Sequence, residues 1–167
     1  FTRIATRVGA ATGATANLDL VRKATHAWMP LGDRVAIIGG ELVGIELAEF
    51  LHERGRVVAV IDDAPRFGKG LTLVRRMRIL SELAEHGVAL EAGAGNIAIT
   101  PEAVTWTDQA GDPRKFAADT VIVAKGASGD LTLADELRAA GFAVHSIGDA
   151  NGVGYIEGAM RGAEITN

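Results

Sequence analysis

Apolar residues cluster in this chain in two distinct ways. Continuous runs rich in Val and Ile occupy 35–38 (VAII), 57–61 (VVAVI) and 121–124 (VIVA), with 144–147 (VHSI) a fourth strand candidate. Runs without alternation are the mark of parallel strands covered on both faces. Between them apolar positions recur at helical spacing. Leu42, Ile45, Leu47, Ala48 and Leu51 predict a helix over 42–54 that stops at Gly55. Met77, Leu80, Leu83 and Ala84 share one face of a helix over 73–86 that stops at Gly87, and a third helix over 131–140 stops at Gly141. Glycine ends a helix well because the residue after the last turn adopts a left-handed conformation. Strand, helix and glycine stop repeat in order, which predicts an α/β fold built on a Rossmann-like, doubly wound parallel sheet.

One stretch departs from that order. Residues 96–100 and 103–107 read as short strands, 110–113 as a turn, and 115–117 as a third strand. Together they predict an antiparallel β-meander where a helix would otherwise cross over. Near the start, 3–11 reads as a strand and 18–27 as a short helix with Asn17 as its N-cap, followed by a turn at 30–32. Residues 8–14 (VGAATGA) and 121–127 (VIVAKGA) echo one another, each an apolar run followed by Ala-x-Gly-Ala. They are either two equivalent strand ends or two unrelated strand-turn junctions.

Composition narrows the function. With 48% apolar and 23% charged residues the chain can bury a proper core and stay in solution. The net charge of −4 argues against nucleic acid as a partner, since no basic excess exists to neutralise phosphates. No window reaches the ~18 uninterrupted apolar residues of a spanning helix, so no membrane partner is expected. The absence of cysteine removes disulfides, thiolate metal sites, dithiol redox pairs and cysteine nucleophiles, and the cytoplasm is the expected compartment. Glycine is frequent, 21 of 167 residues, and falls singly or in pairs after apolar runs rather than in a linker. The chain starts at Phe1, inside a strand pattern, so a segment of a longer polypeptide is expected.

The strongest chemical signal is 35–48, VAIIGGELVGIELA, where a strand passes through a glycine-rich turn into a helix. In a dinucleotide fingerprint the first glycine, here Gly39, makes the tight turn, and the third, Gly44, lets helix and strand pack closely. The middle glycine admits the pyrophosphate to the helix N-terminus, where free amides and the positive dipole end attract anions. Glu41 stands at that middle position. Its carboxylate either complements the dipole as an acid in the first turn, or takes the place of a phosphate and weakens dinucleotide binding, and the two roles are compatible. The second strand ends in Asp62-Asp63, and Asp62 lies 18 residues beyond Gly44, where an acid would accept hydrogen bonds from an adenosine ribose. An acid there also repels a 2′-phosphate and favours NAD(H), while nearby Arg66 blurs that preference. His26, His52, His86 and His145 are scattered, His52 and His86 on exposed helix faces, and no serine sits in a nucleophile elbow. Lys69, Arg75, Arg76 and Arg78 read as a solvated helix face, and Trp28 and Trp106 as core or interface. A second signal is 146–150 (SIGDA) followed by 152–160 (GVGYIEGAM), where a strand end would hold Asp149 beside a helix N-terminus, facing a hydroxylated cofactor tail.

Taken together, 11–14 (ATGA), Gly39 to Gly44, the meander, 124–127 (AKGA) and 147–150 (IGDA) resemble two-dinucleotide-domain flavoproteins. Residues 42–51 (LVGIELAEFL) and 131–158 look most like the C-terminal half of old yellow enzyme-type NADH:flavin oxidoreductases, the group of 2,4-dienoyl-CoA reductases and trimethylamine and histamine dehydrogenases. The resemblance implies an NAD(H)-binding domain over 31–127, flanked by FAD-domain pieces at 1–30 and 128–167. It makes Gly39, Gly40, Glu41, Leu42, Val43 and Gly44 the pyrophosphate loop and Asp62 the ribose contact. Gly126 falls where the strand end faces the nucleotide, Gly13 at the crossing between domains, and Gly148 and Asp149 at the FAD ribityl-phosphate region. It further implies that hydride passes from NADH to FAD, then to FMN and substrate. The FMN and an iron–sulfur cluster would lie on a preceding barrel, so the chain's partners are its dinucleotide and the remainder of a parent flavoenzyme. Glu41 departs from the family pattern, and some amine dehydrogenases of the group keep this domain as a vestigial ADP-binding module. That is the alternative from another class. An acyl-CoA or adenine-nucleotide sensor has no dedicated motif here.

Overall fold

A computed structural model describes residues 29–154, together with Lys23 and Met160. The chain divides after Ala124 into two compact units. In the first, β1 (Arg34–Ile38), α1 (Leu42–His52), β2 (Val57–Asp62), α2 (Leu73–Glu85) and β3 (Ala89–Ala92) alternate as expected. Then come β4 (Gly95–Ile99), β5 (Ala103–Thr107), β6 (Pro113–Ala117) and β7 (Thr120–Val123). Strands β3, β2, β1 and β7 form a parallel sheet in that order, and β4, β5 and β6 form a separate antiparallel sheet.

The chain therefore steps outward from β1 through β2 to β3, then returns through the meander to the other side of β1. In open α/β sheets such a reversal is where ligands dock, outside the carboxyl ends of the strands. Strand β7 pairs with β1 from Val35↔Thr120 to Ile38↔Val123, and the Ala124 N–H extends the ladder to the Ile38 carbonyl at 2.7 Å.

Alternation along β1 and β2 assigns the two faces. Val35, Ile37, Val58 and Val60 pack with Ile45, Ala48 and Leu51 of α1 and Ile79 and Leu83 of α2. Ala36, Ile38 and Ile61 pack instead with Val104 and Trp106 of the meander. Both faces are covered, which explains why the strands are apolar throughout. The glycine stops close each helix with a Schellman pair: at α1, Gly55 N–H donates to the His52 carbonyl (2.8 Å) and Arg56 N–H to the Leu51 carbonyl (3.1 Å).

Two expectations need correction, and one strand has no counterpart among them. Strand β3 was not legible, because Ala-Leu-Glu-Ala carries no β-branched residue; it is a half-buried edge that pairs with β2. The buried stripe of α2 is Ile79 and Leu83, and Met77 is 65% exposed, because 77 and 79 point to opposite sides of a helix. Residues 144–147 are not a strand; in the second unit the described elements are α3 (Thr132–Ala139) and a 3₁₀ turn at Gly148–Asn151. The expected strand at 3–11 and helix at 18–27 lie outside the described residues, Lys23 excepted. No helix among the described residues is long and apolar enough to cross a membrane.

The β5–β6 hairpin is held by one carboxylate. Asp108 Oδ1 accepts from the N–H groups of Ala110 and Asp112, both at 2.9 Å, and Oδ2 accepts from Arg114 Nε at 2.7 Å. The Asp112 amide first, then the Arg114 guanidinium, holds the Asp108 carboxyl below the usual carboxylate range. A depressed acid contributes stability above its unfolded pKa and loses it as pH falls through the folded value. Asp108→Asn is expected to destabilise the hairpin at neutral pH, with the difference from wild type closing as pH drops below the ordinary carboxylate range; urea titrations at several pH values check this. In the core, Ile37→Ala is expected to cost about 2–5 kcal/mol, since Ile37 is fully buried between sheet and helices. Chemical denaturation measures it.

Candidate functional site

The glycine-rich turn sits at the carboxyl end of β1. Gly39 donates its N–H to the Ile61 carbonyl at 2.9 Å and has φ +117°, a conformation L side chains rarely adopt. Gly40 donates to Asp62 Oδ2 at 2.6 Å, and its carbonyl accepts from the Gly68 amide at 2.7 Å. Glu41 is the extended N-cap of α1. Gly44, buried in the first turn, lies so close to the Gly39 carbonyl that a Cβ would overlap its oxygen. A Cβ on Gly40 would likewise overlap the Phe67 ring.

The segment after β2 is laced onto this turn. Besides the Gly68–Gly40 bond, Leu42 N–H donates to the Lys69 carbonyl at 3.0 Å. Asp62 is only 2% exposed; besides Gly40 it accepts the Ala64 amide through Oδ1 at 3.2 Å. Amide donors stabilise a buried carboxylate, and the carboxylate in turn fixes the turn that carries Gly40. Asp62 thus points at the glycine turn from beneath it, while Asp63 and Arg66 are exposed in the loop beyond.

The amides of Glu41, Val43 and Gly44 have no hydrogen-bond acceptor among the described residues. They lie at the positive end of an 11-residue helix, an arrangement that binds anions through free N–H groups and the dipole. Glu41 does not occupy them. It sits one residue before the first turn, makes no side-chain cap bond, and places Oε1 3.3 Å from Lys69 Nζ. Glu41 is therefore an N-cap acid paired with a lysine rather than a first-turn acid. The glycines let the turn pack tightly onto Phe67 and the Gly39 carbonyl, and the acceptorless amides are donors of the kind a diphosphate needs.

The structure brings Gly39, Gly40, Glu41, Leu42, Gly44 and Asp62 together, with the Val43 side chain turned to solvent. Gly13 lies outside the described residues. In the second unit Gly126 (φ +84°) is exposed, Gly148 (φ +64°) opens the 3₁₀ turn, and Asp149 Oδ1 accepts the Gly154 amide at 3.2 Å. Asp149 thus lies within a 3₁₀ turn, not at the end of a strand. Lys69 is a loop residue, not part of a helix face, whereas Arg75 bridges α2 to Glu49 of α1 at 3.0 Å. Phe67 went unnoticed in the sequence, although a lone aromatic in the loop DAPRFGKG was its signal. His52 and His86 stack at 5.1 Å between ring centres, His86 exposed and His52 half-buried. No group of three or more metal-binding side chains exists among the described residues. Trp106 is core, as expected.

The chain belongs to the pyridine nucleotide-disulphide oxidoreductase family, which it matches over residues 4–151, and the family domain binds FAD and NAD(P). It is 32% identical over 133 residues to a bilirubin reductase of Mediterraneibacter gnavus, a match covering 80% of this chain and 20% of that protein. It is similar to the structure of a 2-naphthoyl-CoA reductase in complex with 2-naphthoyl-CoA, with TM-score 0.70 and 26% identity over 79% of this chain and 20% of that one. A histamine dehydrogenase from Rhizobium sp. 4-9 shares the fold, with TM-score 0.68 and 19% identity over 81% of this chain and 23% of that one. The chain spans about a fifth of the length of the bilirubin reductase.

Because the Gly39 carbonyl leaves no room for a methyl group, Gly44→Ala is expected to push α1 off the sheet. The cost should be about 1–3 kcal/mol of stability, with a lowered thermal midpoint by circular dichroism.

Proposed function

We propose that residues 31–127 are the pyridine-nucleotide-binding part of a flavin-dependent oxidoreductase, with FAD-type pieces on either side at 1–30 and 128–167. Three acceptorless amides at a turn no Cβ fits carry this assignment. The diphosphate of NAD(H) would lie over the turn from Gly39 to Gly44. Of the two acids after β2, the exposed Asp63 would face the adenosine ribose and disfavour a 2′-phosphate, with Arg66 at the rim, while the buried Asp62, expected from the sequence as the ribose contact, braces Gly40 from beneath. Gly126 would face a bound nucleotide, Gly13 would lie at the crossing between domains, and Gly148 and Asp149 would meet the ribityl-phosphate region of the flavin. When bound, nicotinamide and flavin supply the hydride chemistry; the residues here bind and orient. We place the parent among old yellow enzyme-type oxidoreductases, with hydride passing from NADH through FAD to FMN and substrate, and with FMN and an iron–sulfur cluster on a part beyond these residues. The similarity to a naphthoyl-CoA reductase supports that placement, and the histamine dehydrogenase shares the fold. The chain has no cysteine, so these residues form no redox-active disulfide.

A second function is favoured by Glu41, an acid where the fingerprint has its middle glycine: a module that retains a nucleotide for structure alone. Isothermal titration with NADH, NADPH and ADP separates the two. Submillimolar NADH binding, tightened by Glu41→Gly, is the expected result. Binding of ADP alone would favour the structural module, and no binding of any of the three would overturn both.

A further inference from the structure

We infer that Lys69 is a diphosphate-binding residue held in reserve by Glu41, so that entry of the dinucleotide exchanges one anion for another on the same ammonium. This rests on the dinucleotide function proposed above and adds a residue that the glycine fingerprint does not contain.

Three observations converge on Lys69. Its backbone is fixed at the site: the Lys69 carbonyl accepts from the Leu42 amide at 3.0 Å, and the neighbouring Gly68 amide donates to the Gly40 carbonyl at 2.7 Å. The residue is thus tied to the first residue of α1, between the acceptorless amides of Glu41 and Val43. Its side chain is free to turn, being 80% exposed, on a flexible four-carbon stem. Its present partner, Glu41 Oε1 at 3.3 Å, is an acid at the position where the fingerprint has its middle glycine.

An exposed ion pair of this kind is weak and screened by salt, so it yields readily to a stronger anion. A diphosphate offers more charge than a carboxylate, and it would meet the three amides and the helix dipole at once. Its arrival would draw the Lys69 ammonium away and release Glu41 to solvent. No bond is made or broken in this exchange and no proton need move. Glu41 then lowers affinity by competing for the lysine as well as by repelling the ligand, and Lys69, once drawn to the ligand, offsets the repulsion.

The test compares wild type, Lys69→Ala, Glu41→Gln and the double variant, titrated calorimetrically with ADP and with adenosine at low and high salt. Lys69 is exposed and the half-buried Glu41 makes no cap bond, so the variants should keep the fold, which circular dichroism verifies. Lys69→Ala is expected to weaken ADP binding about 2–5-fold at low salt, the range of one exposed charge contact. It should leave adenosine unaffected, and the loss should shrink as salt rises. Glu41→Gln is expected to strengthen ADP binding, and Lys69→Ala should still weaken it in that background. If Lys69→Ala is harmless once Glu41 is neutral, the lysine only balances its neighbour and the assignment is overturned. A chain that binds neither ADP nor NADH, with or without Glu41, overturns the dinucleotide function itself along with it.

Discussion

Gly44 rests on the carbonyl oxygen of Gly39 with no side chain between them, and much of the domain's geometry follows from that approach. Helix α1 can lie against β1 only because its third residue is bare. With the helix seated there, Ile45, Ala48 and Leu51 reach Val35, Ile37, Val58 and Val60, and one face of the parallel sheet is sealed. The same seating aims the helix N-terminus at the carboxyl end of β1, beside the place where the strand order reverses. Packing and ligand chemistry are thus set by one contact. A larger residue at 44 would loosen the core and misdirect the amides together.

Electrostatics at this turn are arranged in two tiers. Beneath it, Asp62 is buried and its carboxylate is met by the amides of Gly40 and Ala64, an arrangement that braces the loop. Above it, Glu41 and Lys69 form an exposed pair that water can enter. A buried charge satisfied by fixed amides is costly to disturb, whereas a solvated pair rearranges easily. The stiff tier preserves the shape of the turn while the soft tier can change partners.

Much of this was legible in the sequence, for identifiable reasons. The central strands announced themselves because parallel strands covered on both faces must be apolar throughout, as 35–38 and 57–61 are. Helix ends were readable because Gly55, Gly87 and Gly141 take left-handed conformations that other residues avoid. The meander showed in short alternating runs. Strand β3 escaped because an edge strand of Ala, Leu and Glu owes its conformation to pairing with β2, not to its own residues. On α2 the expected Leu83 is buried and Leu80 packs at the rim of the core, but Met77 and Ala84 face solvent and Ile79 takes the central place, because the stripe turns toward 79 and 83. At the site, spacing picked out the turn and Asp62, but not that Asp62 is a buried brace for Gly40, nor the lacing of Gly68 and Lys69 onto the turn. Backbone hydrogen bonds between loops leave no trace in residue type.

The hairpin tip at Asp108 has a practical corollary. Its backbone is clasped by its own carboxylate, and residues 109–112 are exposed, on a sheet remote in sequence from the glycine turn. Exposed tips of this kind tolerate grafts better than any other part of a domain. Since Gln109 donates to the carbonyl of Ala92 at the end of β3 (2.9 Å), a fluorophore attached to a cysteine put in place of the exposed Ala110 would report on the carboxyl edge of the parallel sheet.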